Sequence, residues 1–160
     1  MKKAFFLLVS VLFVSFQSAG APVTYRDAQG RGVSNASTSG SRTVYRDVAG
    51  RTTGSAMQQG GRVVYRDNMG RVTGTAVQQG NRTVYRDNMG RMMGTAVQQG
   101  NRTIFRDHTG RVIGTAEQQG NRVIYRDGAG RNTGSAPLPA GAAPYRDPYG
   151  FSRGQGPAVR

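Results

Sequence analysis

The chain reads as all-β, a tandem array of 20-residue antiparallel β-hairpins, on three observations. Tyr25, Tyr45, Tyr65, Tyr85, Tyr125 and Tyr145 recur at intervals of 20, with Phe105 holding the remaining place in the series; a fixed period of this length marks a repeat architecture. Each aromatic is followed by Arg and then Asp, and a glycine stands three residues beyond every Asp, from Gly30 to Gly150. Glycine interrupts the sequence throughout and no apolar stripe follows the helical period of about 3.6 residues. Strands rather than helices are expected in the repeat.

The elements follow in order within a middle unit. Arg62-Val63-Val64-Tyr65-Arg66-Asp67 is rich in β-branched and aromatic residues and forms a first strand. Asn68-Met69-Gly70 makes a three-residue connection with glycine last, which suits a type I turn closed by a left-handed glycine in a G1 bulge. Arg71 to Val77 forms the second strand, and Gln78-Gln79-Gly80-Asn81 turns the chain into the next unit. With Asp67 facing Arg71 across the turn, Tyr65 is expected opposite Thr73 and Val63 opposite Thr75. The other face then pairs Val64 with Gly74, Arg66 with Val72 and Arg62 with Ala76. Gly74 and its equivalents at 54, 94, 114 and 134 leave open spots where a neighbouring ring or guanidinium can pack closely. Tyr65, Asp67, Gly70, Arg71 and Gly74 are therefore the structural positions of the repeat. The Asp–Arg pair at the turn mouth is an expected cross-strand ion pair.

A single hairpin has too few apolar side chains to bury and is marginal in water. Stability is expected from contacts between neighbouring units. Three arrangements satisfy that condition: a closed, propeller-like ring, a flat meander or a solenoid. The repeat domain spans 22–136, with units centred on Tyr25, Tyr45, Tyr65, Tyr85, Phe105 and Tyr125. Residues 137–160 hold a degenerate last unit and a Pro/Gly-rich C-terminal tail, because Pro137, Pro139, Pro144, Pro148 and Pro157 do not continue regular ladders.

Residues 1–21 read as a signal peptide. Lys2 and Lys3 form its basic start, Ala4 to Phe16 its apolar segment, and Ser18-Ala19-Gly20-Ala21 the small residues at which cleavage after Gly20 or Ala21 is expected. The apolar run is shorter than the roughly 20 residues needed to cross a bilayer, so no transmembrane span is expected after processing. The protein is expected to be exported, to the periplasm, the cell surface or the medium. The chain has no cysteine, which leaves pairing and packing alone to hold it together.

Residues 22–160 carry 20 Arg and no Lys against seven Asp and Glu117, a formal excess of 12 positive charges. Such a balance attracts polyanions. Guanidinium groups also pair bidentately with carboxylates and stack on rings, so the same arginines serve structure equally well.

The Tyr-Arg-Asp-x-x-Gly-Arg core resembles the Tyr-Asp (Rhs/YD) repeats of bacterial surface and toxin-delivery proteins, which carry an aromatic, an Asp and a Gly-Arg pair on hairpins of about this period. It is closer still to small exported bacterial proteins of short hairpin repeats described as β-flowers. The similarity covers about residues 22–155 and departs from the Rhs pattern by the Arg between Tyr and Asp. What the resemblance implies is an architecture and a surface or envelope setting, not an activity.

No catalytic residue, metal ligand or cofactor is assigned. His108 occupies a turn position where sister units have Asn68, Asn88, Val48 or Gly128, and Glu117 has no acidic partner for general acid–base work. Each Asp is flanked by Arg, which favours ion pairing over a calcium ladder. No Gly-x-Ser-x-Gly or Gly-Lys-Ser/Thr signature appears. The candidate anion- or partner-binding residues are Arg66, Arg86, Arg106 and Arg126, which form one row, together with Arg62, Arg82, Arg102 and Arg122. The parallel aromatic row is expected either to be core or to line a stacking groove with the arginines. The expectation is a non-enzymatic structural or interaction protein of the bacterial envelope or exterior with an Arg-rich repeat surface. Its partner would be an anionic envelope component or another protein. The alternative is a polyanion-binding module for lipopolysaccharide, acidic glycan or, less expectedly, nucleic acid. Homo-oligomers through exposed sheet edges are a further expectation.

Overall fold

The computed structural model describes residues 22–137. The expected leader, the seventh unit around Tyr145 and the C-terminal tail lie outside the described residues.

Twelve strands follow one another as six hairpins. They are β1 (Val23–Asp27), β2 (Gly32–Ser39), β3 (Arg42–Asp47), β4 (Thr52–Gln59), β5 (Arg62–Asp67), β6 (Val72–Gln79), β7 (Arg82–Asp87), β8 (Met92–Gln99), β9 (Arg102–Asp107), β10 (Val112–Gln119), β11 (Arg122–Asp127) and β12 (Asn132–Pro137). Every strand pairs antiparallel with its sequence neighbours, and β12 pairs with β1, so the sheet closes into a barrel. Of the three arrangements open to the sequence, the closed one is adopted. It is a single sheet wrapped on itself rather than a set of propeller blades, and closure leaves no edge strand among the described elements.

The turns at the two ends differ. At one end Gly70 has φ 82°, its N–H donates to the Asp67 carbonyl at 3.1 Å, and the Asp67 N–H donates to the Arg71 carbonyl at 2.9 Å. That is the expected three-residue turn with a left-handed glycine. At the other end the expected four-residue turn is shorter. The strands run to Gln79 and from Arg82, leaving Gly80-Asn81 as a two-residue loop with φ 60° at Gly80. These are called the Asp-turn end and the Gln-turn end below.

The register corrects the expected pairing within the hairpin. Arg66 lies opposite Val72 as expected, but Tyr65 faces Gly74, Val64 faces Thr75 and Val63 faces Ala76. A bulge between Tyr65 and Arg66 leaves Thr73 as the extra residue, and the same shift recurs at Tyr45/Arg46, Tyr85/Arg86 and Tyr125/Arg126. Bulges bend a strand and increase its twist, which a sheet needs in order to close. The bulge also changes the role of the strand glycine. A Cβ on Gly74 would stand 2.5 Å from the backbone carbonyl oxygen of Arg86 in the next hairpin. The close neighbour is main chain, not the ring or guanidinium expected from the sequence.

Alternation then sorts the side chains. Val23, Tyr25, Ala36, Ala56, Tyr65, Ala76, Tyr85, Ala96, Phe105, Ala116, Val123, Tyr125 and Ala136 form one buried cluster inside the barrel, with Tyr45, Val63 and Ile113 packed against it. Each ring has small residues on both sides: Tyr65 faces Ala56 on β4 and Gly74 on β6. This large-small alternation is what lets six aromatics share one interior. Val64 and Val84 are buried outside that cluster, on the outer face between cross-strand neighbours Met57 and Thr75, and Val77 and Thr95.

The closing pair is the shortest. β1 meets β12 through Arg26↔Ser135 and Asp27↔Gly134. This is the register that Arg66 and Asp67 take against Ser55 and Gly54, so β1 occupies the seat that a following unit would fill. Pro137 stands where Met57 and Glu117 stand in the equivalent strands. Having no N–H, it cannot extend the ladder toward β1 as those residues do toward theirs.

Candidate functional site: two rings of guanidinium groups

The aromatic row is core, and the arginines alternate with it onto the outer surface. Tyr65, Tyr85 and Phe105 are buried, which removes the stacking groove that the sequence left open. Burial pushes the phenol of Tyr65 well above its ordinary pKa, and the neighbouring Tyr85 and Tyr45 push it further. Tyr45 and Tyr125 are raised by burial and then by Tyr25. The phenols thus stand close enough together to disfavour each other's charge.

At the Asp-turn end the hairpins build closely similar small assemblies, complete at Asp67. Asp67 accepts backbone N–H groups of Met69 and Arg71 on Oδ1, both at 2.9 Å, and the Arg71 Nε on Oδ2 at 2.8 Å. Arg66 Nη1 reaches over the turn and donates to the Gly70 carbonyl at 2.9 Å. Arg26, Arg86, Arg106 and Arg126 do the same to Gly30, Gly90, Gly110 and Gly130. The expected ion pair is present at Asp27–Arg31, Asp47–Arg51, Asp67–Arg71, Asp87–Arg91 and Asp127–Arg131. At Asp107 the Thr109 hydroxyl donates to Oδ1 beside the backbone N–H groups of Thr109 and Arg111. Asp therefore neutralises one arginine of each of these five turns, and at four of them the other, Arg26, Arg66, Arg86 or Arg126, is held on a carbonyl as a fixed cation.

The carboxylates respond accordingly. The backbone N–H of Arg51 heads the interactions that hold Asp47 below the usual carboxylate range. At Asp67 partial desolvation opposes, but the hydrogen bonds from Arg71 and Met69 outweigh it. A carboxyl whose folded pKa is depressed adds stability above its unfolded value, and that stability is lost as pH falls through the folded value. The melting temperature is expected to be level near neutrality and to fall once pH drops below about 4. Asp67→Ala is expected to flatten that acid limb while lowering the neutral plateau. Thermal unfolding followed by circular dichroism across pH checks both; an unchanged limb would show that the turn carboxylates are not coupled to folding.

The sequence-derived candidates fall into two rings at opposite ends of the barrel. Arg66, Arg86, Arg106 and Arg126 belong to the Asp-turn end. Arg62, Arg82, Arg102 and Arg122 belong to the Gln-turn end, where all four are exposed and carry no ion pair among the described residues. Gln79 lies directly opposite Arg82, as Gln59 does Arg62. Amides line this end too: Asn81 and Asn101 donate to the carbonyls of Gln98 and Gln118.

Two features went unrecognised in the sequence. Arg71, Arg91 and Arg131, assigned there a structural role only, keep side chains 73–81% exposed despite their ion pairs. Among the described residues, large apolar side chains are also exposed at one end only. Val33, Val48, Met69, Val72, Met89, Met92 and Met93 all belong to the Asp turns or to the strand starts that follow them. The signal available was an apolar residue in a loop position that sister units fill with Gln29, Thr109 or Ala129.

His108 sits exposed at a turn tip. Glu117 lies on β10 opposite Ile124 and Arg102. Among the described residues no three His, Cys, Asp or Glu side chains converge on a metal-sized site, and no helix is long and apolar enough to cross a membrane. Comparison with protein-family models, with curated proteins and with solved structures returns no match.

Proposed function

We propose that this is an exported, non-enzymatic interaction protein of the bacterial envelope or cell exterior, presenting an Arg-rich repeat surface to an anionic envelope component or to another protein. The observation that supports this reading most is the charge arithmetic of the turn. Asp67 pairs with Arg71, Arg66 is tied to a carbonyl, and the repeat therefore carries a held cation at each such turn. A closed barrel holds these groups in fixed relative positions, so little side-chain ordering is left for the moment of binding.

Envelope fragments provide the test. The processed protein is expected to sediment with them, and the quadruple substitution of Arg66, Arg86, Arg106 and Arg126 to Gln is expected to abolish this while the far-ultraviolet spectrum is kept. Unchanged sedimentation of that variant, and of its Arg62, Arg82, Arg102 and Arg122 counterpart, sinks the reading.

The unpaired guanidinium groups at the Gln-turn end favour a second reading, a module for soluble polyanions. Neutralising four phosphates of a single strand predicts a log–log salt slope of about −3. A protein partner recognised by shape predicts a much shallower one.

A further inference from the structure

The two ends of the barrel share a sign of charge and differ in everything else. The Gln-turn end offers arginines among amides and no exposed large apolar side chain among the described residues. The Asp-turn end mixes cations with apolar tips. Val48, Met69 and Met89 are 70%, 73% and 73% exposed on three neighbouring hairpins, and Val72, Met92 and Met93 flank them. Turn tips ordinarily carry Gly, Asn, Asp or Ser, so methionine there has no conformational reason. It makes the rim amphipathic.

We propose that the Asp-turn end docks on an anionic lipid bilayer, with Met69 and Met89 entering the headgroup–acyl boundary and Arg66 and Arg86 holding lipid phosphates. The proposal rests on the anionic-partner reading above and narrows it to one end of the barrel and one partner.

Charge complementarity argues for the bilayer. Arg66 and Arg86 are fixed beside the methionines by their bonds to Gly70 and Gly90, at 2.9 Å each. Arg71 and Arg91 stand on the other side of the same turns, their Nε atoms bound to Asp67 and Asp87 at 2.8 and 2.7 Å. An apolar tip bracketed by cations matches a surface that is anionic outside and hydrocarbon just beneath. A bare polyanion would use the arginines and leave the methionines in water. Methionine is flexible and polarisable, suited to an irregular acyl boundary. The barrel rests on the bilayer rather than crossing it. Its strands have five to eight residues, short of the about 9–11 that a spanning strand needs. Arg62 and Arg66 also project from the outer face at both ends of β5.

The processed protein is mixed with vesicles of equal parts phosphatidylcholine and phosphatidylglycerol, with vesicles of phosphatidylcholine alone, and with heparin. Binding is expected to the mixed vesicles and not to pure phosphatidylcholine. The double variant Met69→Ser/Met89→Ser is expected to lose about tenfold or more in vesicle affinity with heparin retention unchanged, while Arg66→Gln/Arg86→Gln weakens both. Met69→Trp supplies an independent readout, because its emission should shift to the blue on the mixed vesicles. Equal vesicle binding by the serine variant, or no spectral shift, overturns the docking proposal and leaves the arginine reading standing. Retention on heparin with indifference to vesicles does the same, as does capture by envelope protein freed of lipid. Indifference to vesicles, heparin and envelope fragments together overturns both.

Discussion

Tyr65→Ala lowers the stability of the barrel by about 3–5 kcal/mol, the range for truncating a buried aromatic, whereas Tyr65→Phe leaves it unchanged or raises it by up to about 1 kcal/mol. Tyr65 is 3% exposed and sits between Ala56 and Gly74, side chains too small to close over the space its ring would leave. Its hydroxyl, like that of Tyr85, is buried without a protein hydrogen-bond partner. Removing the hydroxyl therefore breaks no protein bond and relieves the cost of burying a polar atom. Phe105 already occupies the equivalent place at 3% exposure. A loss of that size is a large part of the 5–15 kcal/mol typical of a whole domain. Urea unfolding of the two variants beside the parent measures both effects. A phenylalanine variant as damaged as the alanine one would show that the hydroxyl, not the ring, holds the interior.

Gly74→Ala is expected to cost about 1–3 kcal/mol, the scale of inserting a methyl group where the surroundings cannot yield. The added carbon would meet the Arg86 carbonyl oxygen at 2.5 Å, its carbonyl carbon at 3.6 Å and the Asp87 Cα at 3.7 Å. All three belong to the main chain of β7, which is paired on its other side with β8. A closed sheet has no edge toward which that strand can move. Gly54 has the equivalent conflict with the Arg66 carbonyl, so Gly54→Ala should match it in size. Gly70→Ala is the control: nothing lies within 4 Å, and its cost comes only from φ 82°, about 1–2 kcal/mol. Denaturation midpoints of the three variants separate crowding from backbone strain, and a harmless Gly74→Ala would mean that β6 and β7 are farther apart than described.

Most of the hairpin was legible because its signals are local. The Asp-x-x-Gly-Arg turn depends on one carboxylate reaching N–H groups two and four residues on, and on one glycine taking a positive φ. Both requirements are written in adjacent residues. The register beyond Val72 was not legible, because Thr73 can be read as paired or as bulged until a neighbouring hairpin constrains the twist. The arginine candidates were found but not their division between two ends, since 66 and 62 look like one cluster until the strand separates them. Met69 entered only as part of a three-residue turn and Met89 was not singled out, because a turn residue carries no local sign of which end of the sheet it will join.

The amino-acid order alone determined the repeat, the strand composition, the Asp-centred turns and the pairing of Asp with Arg, all of which need contacts only a few residues long. Tertiary structure decided that the sheet closes, that the tyrosines face inward while the arginines face out, and that β1 takes the last place against β12. Those outcomes depend on bulge twist accumulated over six hairpins and on small residues opposing each ring. No single 20-residue unit contains that information, because burial in this fold exists only between units.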